Sequence, residues 1–431
     1  MFRTISNMLK VKDLRSKILF TLLMLIVFRI GSHVPVPGIN VEALRAGISG
    51  GGGVLSFLDT FSGKALSNFS IFAMGIFPYI TASIIVQLLS MDVIPKFAQW
   101  AREGEIGKRK LAQFTRYGTV VLGLIQAIGL SIAFNNQYHM VNNPGFASYA
   151  LIAIVLTAGT AFLMWLGEQI TEKGIGNGIS IIIFAGIVAA IPNTIQQIYI
   201  DKFTGNQEQL FINILIVLVI LIVVIAIVAG VIFVQQGVRK IPVQYAKRVV
   251  GRKMYGGQST HIPLKVNSAG VIPVIFALSI TVFPPTIASF WQGRPFADWI
   301  IHNFSTSAPL GMFLYIILII AFSFFYAFVQ INPMQMSENM KKNGGFIPGI
   351  RPGKPTAVYL TRVLNRITLT GAIFLALVAI LPVFFIDLAG LPQGVKIGGT
   401  SLLIVIGVAL ETMKTIESQL IKRHYEGFIK K

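Results

Sequence analysis

Ten apolar runs, each near the length needed to cross a bilayer, constrain this chain more than any other feature. A hydrocarbon core about 30 Å thick takes about 20 residues of helix. The runs lie at Ile18–Val36, Ile71–Ser90, Thr115–Phe134, Ala147–Leu166, Ile175–Ile191, Phe211–Val234, Ala269–Phe290, Leu310–Val329, Val363–Ile386 and Ile397–Met413. The sixth is longest and must tilt or protrude, while the short fifth and tenth suit the protein interior. Only 12% of the 431 residues are charged, about half the share of a soluble protein. Soluble domains are therefore excluded, and an all-α polytopic membrane protein with ten transmembrane helices is expected. With no cysteine in the chain, disulfides, thiolate metal sites and cysteine nucleophiles are excluded too.

Charge then assigns the sides. Thirty of the 36 Lys and Arg residues fall on the termini and on the loops after spans two, four, six and eight. Arg45, Lys64, Lys202, Arg294 and Lys396 occupy the opposite loops, and Arg29 sits inside the first run. Lys and Arg stay on the cytoplasmic face, so both termini are expected there. The first run is long enough to span and lacks a small-residue cleavage site, so it is expected to remain as a span. Anionic lipid accounts for the basic N-terminus. Two cytoplasmic stretches ask for more, Gln235–Ser268 and Asn332–Arg362. Each is about thirty residues where connections usually take about 4–6. Long, basic, Gly- and Pro-rich loops of this kind bind partners, and an acidic one such as ribosomal RNA or a cytosolic motor protein would be drawn to them.

The spans themselves are chemically bare. No Asp, Glu, His or Lys occupies a span centre; Arg29 is close enough to the outer interface to snorkel, and Glu411 lies near the cytoplasmic end of the last run. A proton- or sodium-coupled transporter normally carries ionisable groups deep in its spans. There is no HExxH or GxSxG pattern, and no His pair has metal-ligand spacing. Gly50–Gly53 followed by Gly63-Lys64 fails as a phosphate loop: Leu58 stands where the first glycine should be, and Ala65 follows the lysine. Neither an enzyme nor a cofactor or metal site is expected.

Isoleucine is abundant at helical spacing. Ile76 and Ile80, and likewise Ile179 and Ile183, are i,i+4 pairs that face one direction from their helices. Such stripes commonly face lipid, but both pairs sit beside helix breakers, Gly75 and Pro78 or Gly174, Gly176 and Gly178. Breakers of that kind mark helices that line a cavity. An internal echo points the same way: Gly75-Ile76-Phe77-Pro78-Tyr79-Ile80 matches Gly270-Val271-Ile272-Pro273-Val274-Ile275 in Gly, Pro and Ile. It carries span two onto span seven, and five spans per half force the halves, 1–200 and 201–431, into inverted orientations. Val54–Leu66 follows four glycines, offers Ser56 or Asp59 as a helix cap, and is too short to cross. It reads as a re-entrant element or as an amphipathic helix on the outer surface.

The runs Ile71–Gln87 (IFAMGIFPYITASIIVQ) and Leu166–Ser180 (LGEQITEKGIGNGIS), with Pro242–Arg248 (PVQYAKR) and Ile350–Gly353 (IRPG), resemble signatures of the SecY/Sec61 alpha family. The resemblance covers essentially the whole chain. It implies a ten-helix, inverted-repeat channel that passes unfolded polypeptides across the membrane or releases apolar segments sideways into lipid. It further implies a pore ring of Ile76, Ile80, Ile179, Ile183, Ile275 and Ile404, and a plug over about 54–66 contacting the ring through Phe57, Leu58 and Phe61. A lateral gate would open between spans two/three and seven/eight, with Gln87 and Gln126 near it. The loops would dock partners through Arg239, Lys240, Lys247, Arg248 and Arg351. Implied partners are the SecE and SecG subunits, the SecA ATPase, the ribosome, signal sequences and unfolded preproteins, and anionic lipids, in a bacterial plasma membrane. Aliphatic side chains dewet a constriction and accept any passing residue, but supply no energy, so the drive must come from a partner. The competing reading is an inverted-repeat secondary transporter of a small solute; the empty charge inventory and the quoted motifs favour the channel.

Overall fold

The structure is a computed structural model and describes residues 11–42, 44, 59–91, 94–200, 203, 210–245, 248–250, 253–255, 259–291, 293–305, 308–389 and 399–429. A helix lies on each of the ten runs: α1 (Lys12–Gly31), α2 (Phe77–Leu89), then, beyond a short α3 (Pro95–Arg102), α4 (Glu105–Tyr138), α5 (Phe146–Lys173), α6 (Gly178–Tyr199) and α7 (Leu210–Gln236). The C-terminal part adds α8 (Ile272–Ala288), a short α9 (Pro295–Asn303), α10 (Pro309–Gln330), a short α11 (Pro333–Lys342), α12 (Lys354–Ala389) and α13 (Gly399–Ile429). By length and composition α4, α5, α6, α7, α10 and α12 can each cross a membrane, and α2 and α8 are shorter apolar helices.

Two boundaries differ from the sequence expectation for physical reasons. The second run begins at Ile71, but α2 starts only at Phe77, because residues 71–76 form turns and Gly75 takes φ +57°. That left-handed backbone ends one path and starts another, and Pro78 in the first helical turn needs no amide partner. Gly270 takes φ +64° just before α8, which carries Pro273 in its first turn, so the echo in sequence is also an echo in conformation. At their N-terminal ends, α4 and α12 start about ten residues earlier than their apolar runs, since a helix continues into water wherever its polar residues permit.

The two long loops fold together rather than extending as coil. Strand β1 (Val238–Tyr245) is followed by a small hairpin, β2 (Arg248–Val250) and β3 (Lys253–Tyr255), then by β4 (Ser259–Lys265) and β5 (Gly345–Phe346). β1 pairs antiparallel with β4, and its end pairs with β5 through Gln244↔Phe346 and Tyr245↔Gly345, joining the 6/7 and 8/9 loops in one sheet of order β4-β1-β5. Ile241 and Val243 alternate inward against Leu264, Met340, Ile347 and Leu360. Burial of that one face fixes the register. Inside the membrane region most helices contribute to a single apolar cluster running from Phe28 on α1 to Val408 on α13.

Candidate functional site

All six isoleucines singled out in the sequence belong to that cluster. Ile76 and Ile80 are each 4% exposed, Ile275 is 7% exposed, and Ile404 is fully buried. The local sequence aims them. Asn177 caps α6 by accepting from Ile179 N and Ser180 N, at 3.1 and 3.4 Å, which sets the start of the helix that carries Ile183. Upstream, Ile175 N donates to Thr21 Oγ1 of α1 at 3.2 Å, and Gly178 N to Thr171 Oγ1 of α5 at 2.9 Å. The turn between α5 and α6 is thus tied to both neighbours.

Ile76, Ile80, Ile183 and Ile275 line a cavity of about 20 Å³ together with Phe28, Phe77, Leu163, Ile182, Leu278, Gly75, Phe61 and Ser62. An apolar void of this size holds one water at most, and its lining gives that water too few polar partners. Ile179 is placed differently: it is half-buried, with its Cγ1 3.2 Å from where a Cβ on Gly167 of α5 would stand. Ile182 lines the cavity, a residue the i,i+4 pairing passes over. Ile404 is not among the lining residues. Phe61 and Ser62 reach this cavity from the connection between α1 and α2, the stretch expected to be a plug. Phe57 and Leu58 lie outside the described residues, as does Ser56.

Asp59–Phe61 is helical and residues 62–69 are turns. Asp59 does not cap a helix N-terminus. Its backbone carbonyl accepts from Lys64 N at 2.8 Å and from Ser62 Oγ at 3.1 Å, while its carboxylate accepts from Ser67 N at 2.7 Å, closing the segment into a knot. Burial pushes the Asp59 carboxyl above its ordinary value, and the Ser67 hydrogen bond and the Lys64 charge offset this only in part. The ring of Phe61 packs against that of Phe77 at 6.2 Å. Arg29 does not merely snorkel. Its Nη1 donates to the carbonyl of Gly63 at 2.6 Å, from α1 into the knot.

Gln87 and Gln126 both fall on a seam between α2/α4 and α8/α10. Tyr326 Oη of α10 donates to Gln87 Oε1 at 3.0 Å, and Gln87 Nε2 donates to Ser83 Oγ at 3.2 Å. Tyr326 was not legible as a site residue; its signal is one hydroxyl among three in an apolar run, beside those of Tyr315 and Ser323. Gln126 lines a second cavity of about 40 Å³ with Thr81 and Phe77 of α2 and Ser279, Phe283 and Thr286 of α8. Just past the end of α8, Phe290 seats its ring where a side chain on Gly129 of α4 would stand. On the other side of α4, Arg116 makes a bidentate pair with Glu168 of α5, both contacts at 2.9 Å.

In the 6/7 and 8/9 loops Arg239, Lys240 and Arg351 are exposed. Arg248 lies in β2, and Lys247 lies outside the described residues. The backbone at Arg351 is held by Thr356 Oγ1, which donates to its carbonyl at 2.8 Å, and by Ser337 Oγ donating to Gly353 O at 2.6 Å. A recess of about 510 Å³, lined by Gln235, Lys265, Asn267, Gln330, Glu411 and Lys414 among others, lies beside these loops. Among the described residues no cluster of three or more His, Asp or Glu could hold a metal ion.

Comparison with known proteins agrees with this geometry. The family model described as SecY matches residues 70–413. The chain is 64% identical over 432 residues to the protein translocase subunit SecY of Halalkalibacterium halodurans and 61% identical to that of Bacillus subtilis, with full coverage of both partners in each case. It is 51% identical over 430 residues to the SecY subunit of Staphylococcus carnosus, covering 99% of each chain. Among solved structures, a protein-conducting channel superposes with TM-score 0.63 at 18% identity, covering 94% of this chain and 93% of that one. Sec61 in the canine ribosome-channel complex superposes with TM-score 0.58 at 17% identity, covering 94% and 93%. With more than half its length matched by the family model, and close relatives matched end to end, the chain belongs to the SecY family.

Proposed function

We propose that the chain is the channel-forming subunit of a protein translocase, which passes unfolded secretory polypeptides across the bacterial plasma membrane and releases apolar segments sideways into lipid. The observation that carries this reading is the dry cavity of about 20 Å³ where α2, α6 and α8 converge and Phe61 closes in. A constriction of branched aliphatic side chains excludes ions when empty and yields to any side chain when occupied. The ring comprises Ile76, Ile80, Ile183 and Ile275 with Ile182 added; Ile179 and Ile404 are assigned to it from the family resemblance. The segment over about 54–66, which carries Phe61, is the plug, and the seam held by Gln87 and Tyr326 is the lateral gate.

The repeated left-handed glycine before α2 and α8 supports two inverted halves, 1–200 and 201–431, that part along the seam. Lys and Arg asymmetry supports cytoplasmic termini. The basic sheet and the held loop at Arg351 support docking of the SecA ATPase or the ribosome; a similar channel is found in a ribosome complex. Only 6% of the apolar stretch of α7 is buried inside the protein, so its remaining face is available to lipid or to the small SecE and SecG subunits. The lining of the constriction, as described, includes no ionisable group, which favours a polypeptide channel over an ion-coupled solute transporter.

The test is reconstitution of the purified chain with candidate partner subunits and a motor ATPase, followed by protease protection of a secretory precursor. Protection that needs both ATP and this chain is expected. A precursor that stays fully digested under all partner combinations would refute the assignment.

A further inference from the structure

Arg29 is the one charged residue within the first apolar run. A guanidinium stays protonated in any protein environment, so a half-buried one needs acceptors. The structure supplies one from the segment that seals the pore: Nη1 meets the Gly63 carbonyl at 2.6 Å. That carbonyl is presented by an unusual backbone. Gly63 and Lys64 both take φ +67°, two left-handed residues in succession. A non-glycine residue such as Lys64 adopts that conformation only when its surroundings hold it.

Gly63 is wedged from the other side as well. A Cβ at Gly63 would stand 3.1 Å from Cα of Gly186 on α6, and a Cβ at Gly186 would run into the Phe61 carbonyl. Gly63 is therefore gripped between the guanidinium of α1 and the bare backbone of α6. Through the knot closed by Asp59, Ser62 and Ser67, a grip on Gly63 also places Phe61, two residues away, at the isoleucine constriction.

We propose that Arg29 is a positioning residue for translocation: its hydrogen bond to Gly63 O latches the plug in the resting channel. A charge-assisted hydrogen bond is among the stronger single contacts available inside a protein. It is also reversible where the chain needs it to be. Once a polypeptide or water enters the pore, the same N–H groups are satisfied by water, and the latch gives no further resistance. An apolar side chain at this position would pack but could not hold the carbonyl.

The inference rests on the channel reading above, and its test separates the two. The purified channel with its partner subunits is placed in planar bilayers, and resting ion conductance is compared for the unmodified chain, Arg29→Met and Arg29→Lys. Arg29→Met is expected to raise resting conductance about ten- to hundredfold, the range that follows from losing one charge-assisted hydrogen bond. Arg29→Lys keeps a charged donor and is expected to restore most of the seal.

A second variant ties any leak to the plug. The Cβ of Ser62 lies 3.9 Å from an ideal Cβ on Gly75, within disulfide range, and the chain has no other cysteine. Ser62→Cys with Gly75→Cys, added to Arg29→Met, should close the leak when oxidised and reopen it when reduced, with the reduced pair in the unmodified background as the reference for the strain of a side chain at φ +57°. Resting conductance of Arg29→Met equal to that of the unmodified chain, in preparations that translocate normally, would overturn the latch alone. So would a leak that persists with the disulfide formed, or a lysine variant as leaky as the methionine one. An unmodified chain that never passes a polypeptide would instead overturn the channel reading.

Discussion

Replacing Tyr326 with Phe removes one atom from the seam and leaves its packing in place. The ring still meets Phe276 at 5.3 Å and Phe325 at 5.9 Å; what goes is the donor to Gln87 Oε1. A partly buried carbonyl left without its donor costs about 1–3 kcal/mol, against a smaller net value for the intact bond. That cost falls on the closed seam, because in an open one water reaches Gln87. The closed-to-open ratio should therefore fall by about 5- to 150-fold. The partner substitution separates this account from a general loosening. Gln87→Leu with Tyr326→Phe makes both sides apolar and leaves no orphan across the seam; Ser83 Oγ loses the Gln87 donor but can donate to a carbonyl of its own helix, so the exchange is near neutral. The double variant should close as well as the unmodified chain, while Tyr326→Phe alone opens. The assay is sideways release into lipid of model segments of graded leucine content, scored by carbonate extraction, with resting conductance measured in parallel. Release that rises further in the double variant than in either single one would show that the two side chains act separately, and would refute the hydrogen bond as the closure of the gate.

Other expectations follow from the same geometry. Ile80→Ser with Ile275→Ser should wet the constriction and raise resting ion conductance, while an unchanged conductance in bilayers would remove these residues from the seal. Arg351→Glu should cut ATPase-driven translocation by about tenfold or more without lowering the melting temperature, since the loop is held through the Arg351 carbonyl and not its exposed side chain. Normal precursor protection in that variant would remove the docking role. Asp59 has a carboxyl raised from 3.8 in the sealed state, so the seal binds its proton more tightly than an open plug does. The seal should strengthen as pH falls through the window between the raised value and 3.8, and weaken as pH rises through it. Asp59→Asn keeps an acceptor for Ser67 N and drops the buried charge, so it should seal better near neutrality and flatten this dependence. Conductance that follows pH equally in both proteins would place the titrating group elsewhere.

What could be read from the sequence depended on whether the signal was periodic or pairwise. The helices on the ten runs follow from the solvent alone, because a backbone in hydrocarbon must satisfy its own hydrogen bonds. Ile76 and Ile80 were legible as a pair because i,i+4 spacing puts both on one side of a helix whose start is marked by Gly75 and Pro78. Ile179 shows the limit of that logic. Its spacing to Ile183 is the same, yet it leans toward Gly167 while Ile182 takes the place beside the cavity. Helical spacing says which residues share a face; which neighbour meets that face depends on how far the whole helix is rotated. The strands of the 6/7 and 8/9 loops went unseen for a related reason. β1 and β5 are about a hundred residues apart, and the alternation of Ile241 and Val243 completes its burial, begun against Leu264, with Met340, Ile347 and Leu360 across that distance.

Arg29, Gln87 and Tyr326 are the strongest case of a pairwise signal. Each is one of the few polar groups in an apolar run, and a polar group in a membrane span must find a partner. Composition shows that need without showing where it is met. Here it is met across the surfaces that the proposed function requires to separate, from α1 to the connection before α2 and from α2 to α10. Apolar contacts between helices in lipid discriminate weakly between closed and parted, since lipid tails replace a lost neighbour at little cost. A hydrogen bond in the same place does discriminate, because lipid supplies no replacement and water does. A seam closed mainly by isoleucine and phenylalanine with a polar contact at each moving surface is therefore stable while dry and loses its hold once wetted. Hydration by an entering chain is then sufficient to release it, which is why the polar contacts, few as they are, should govern the resting state more than the apolar area around them.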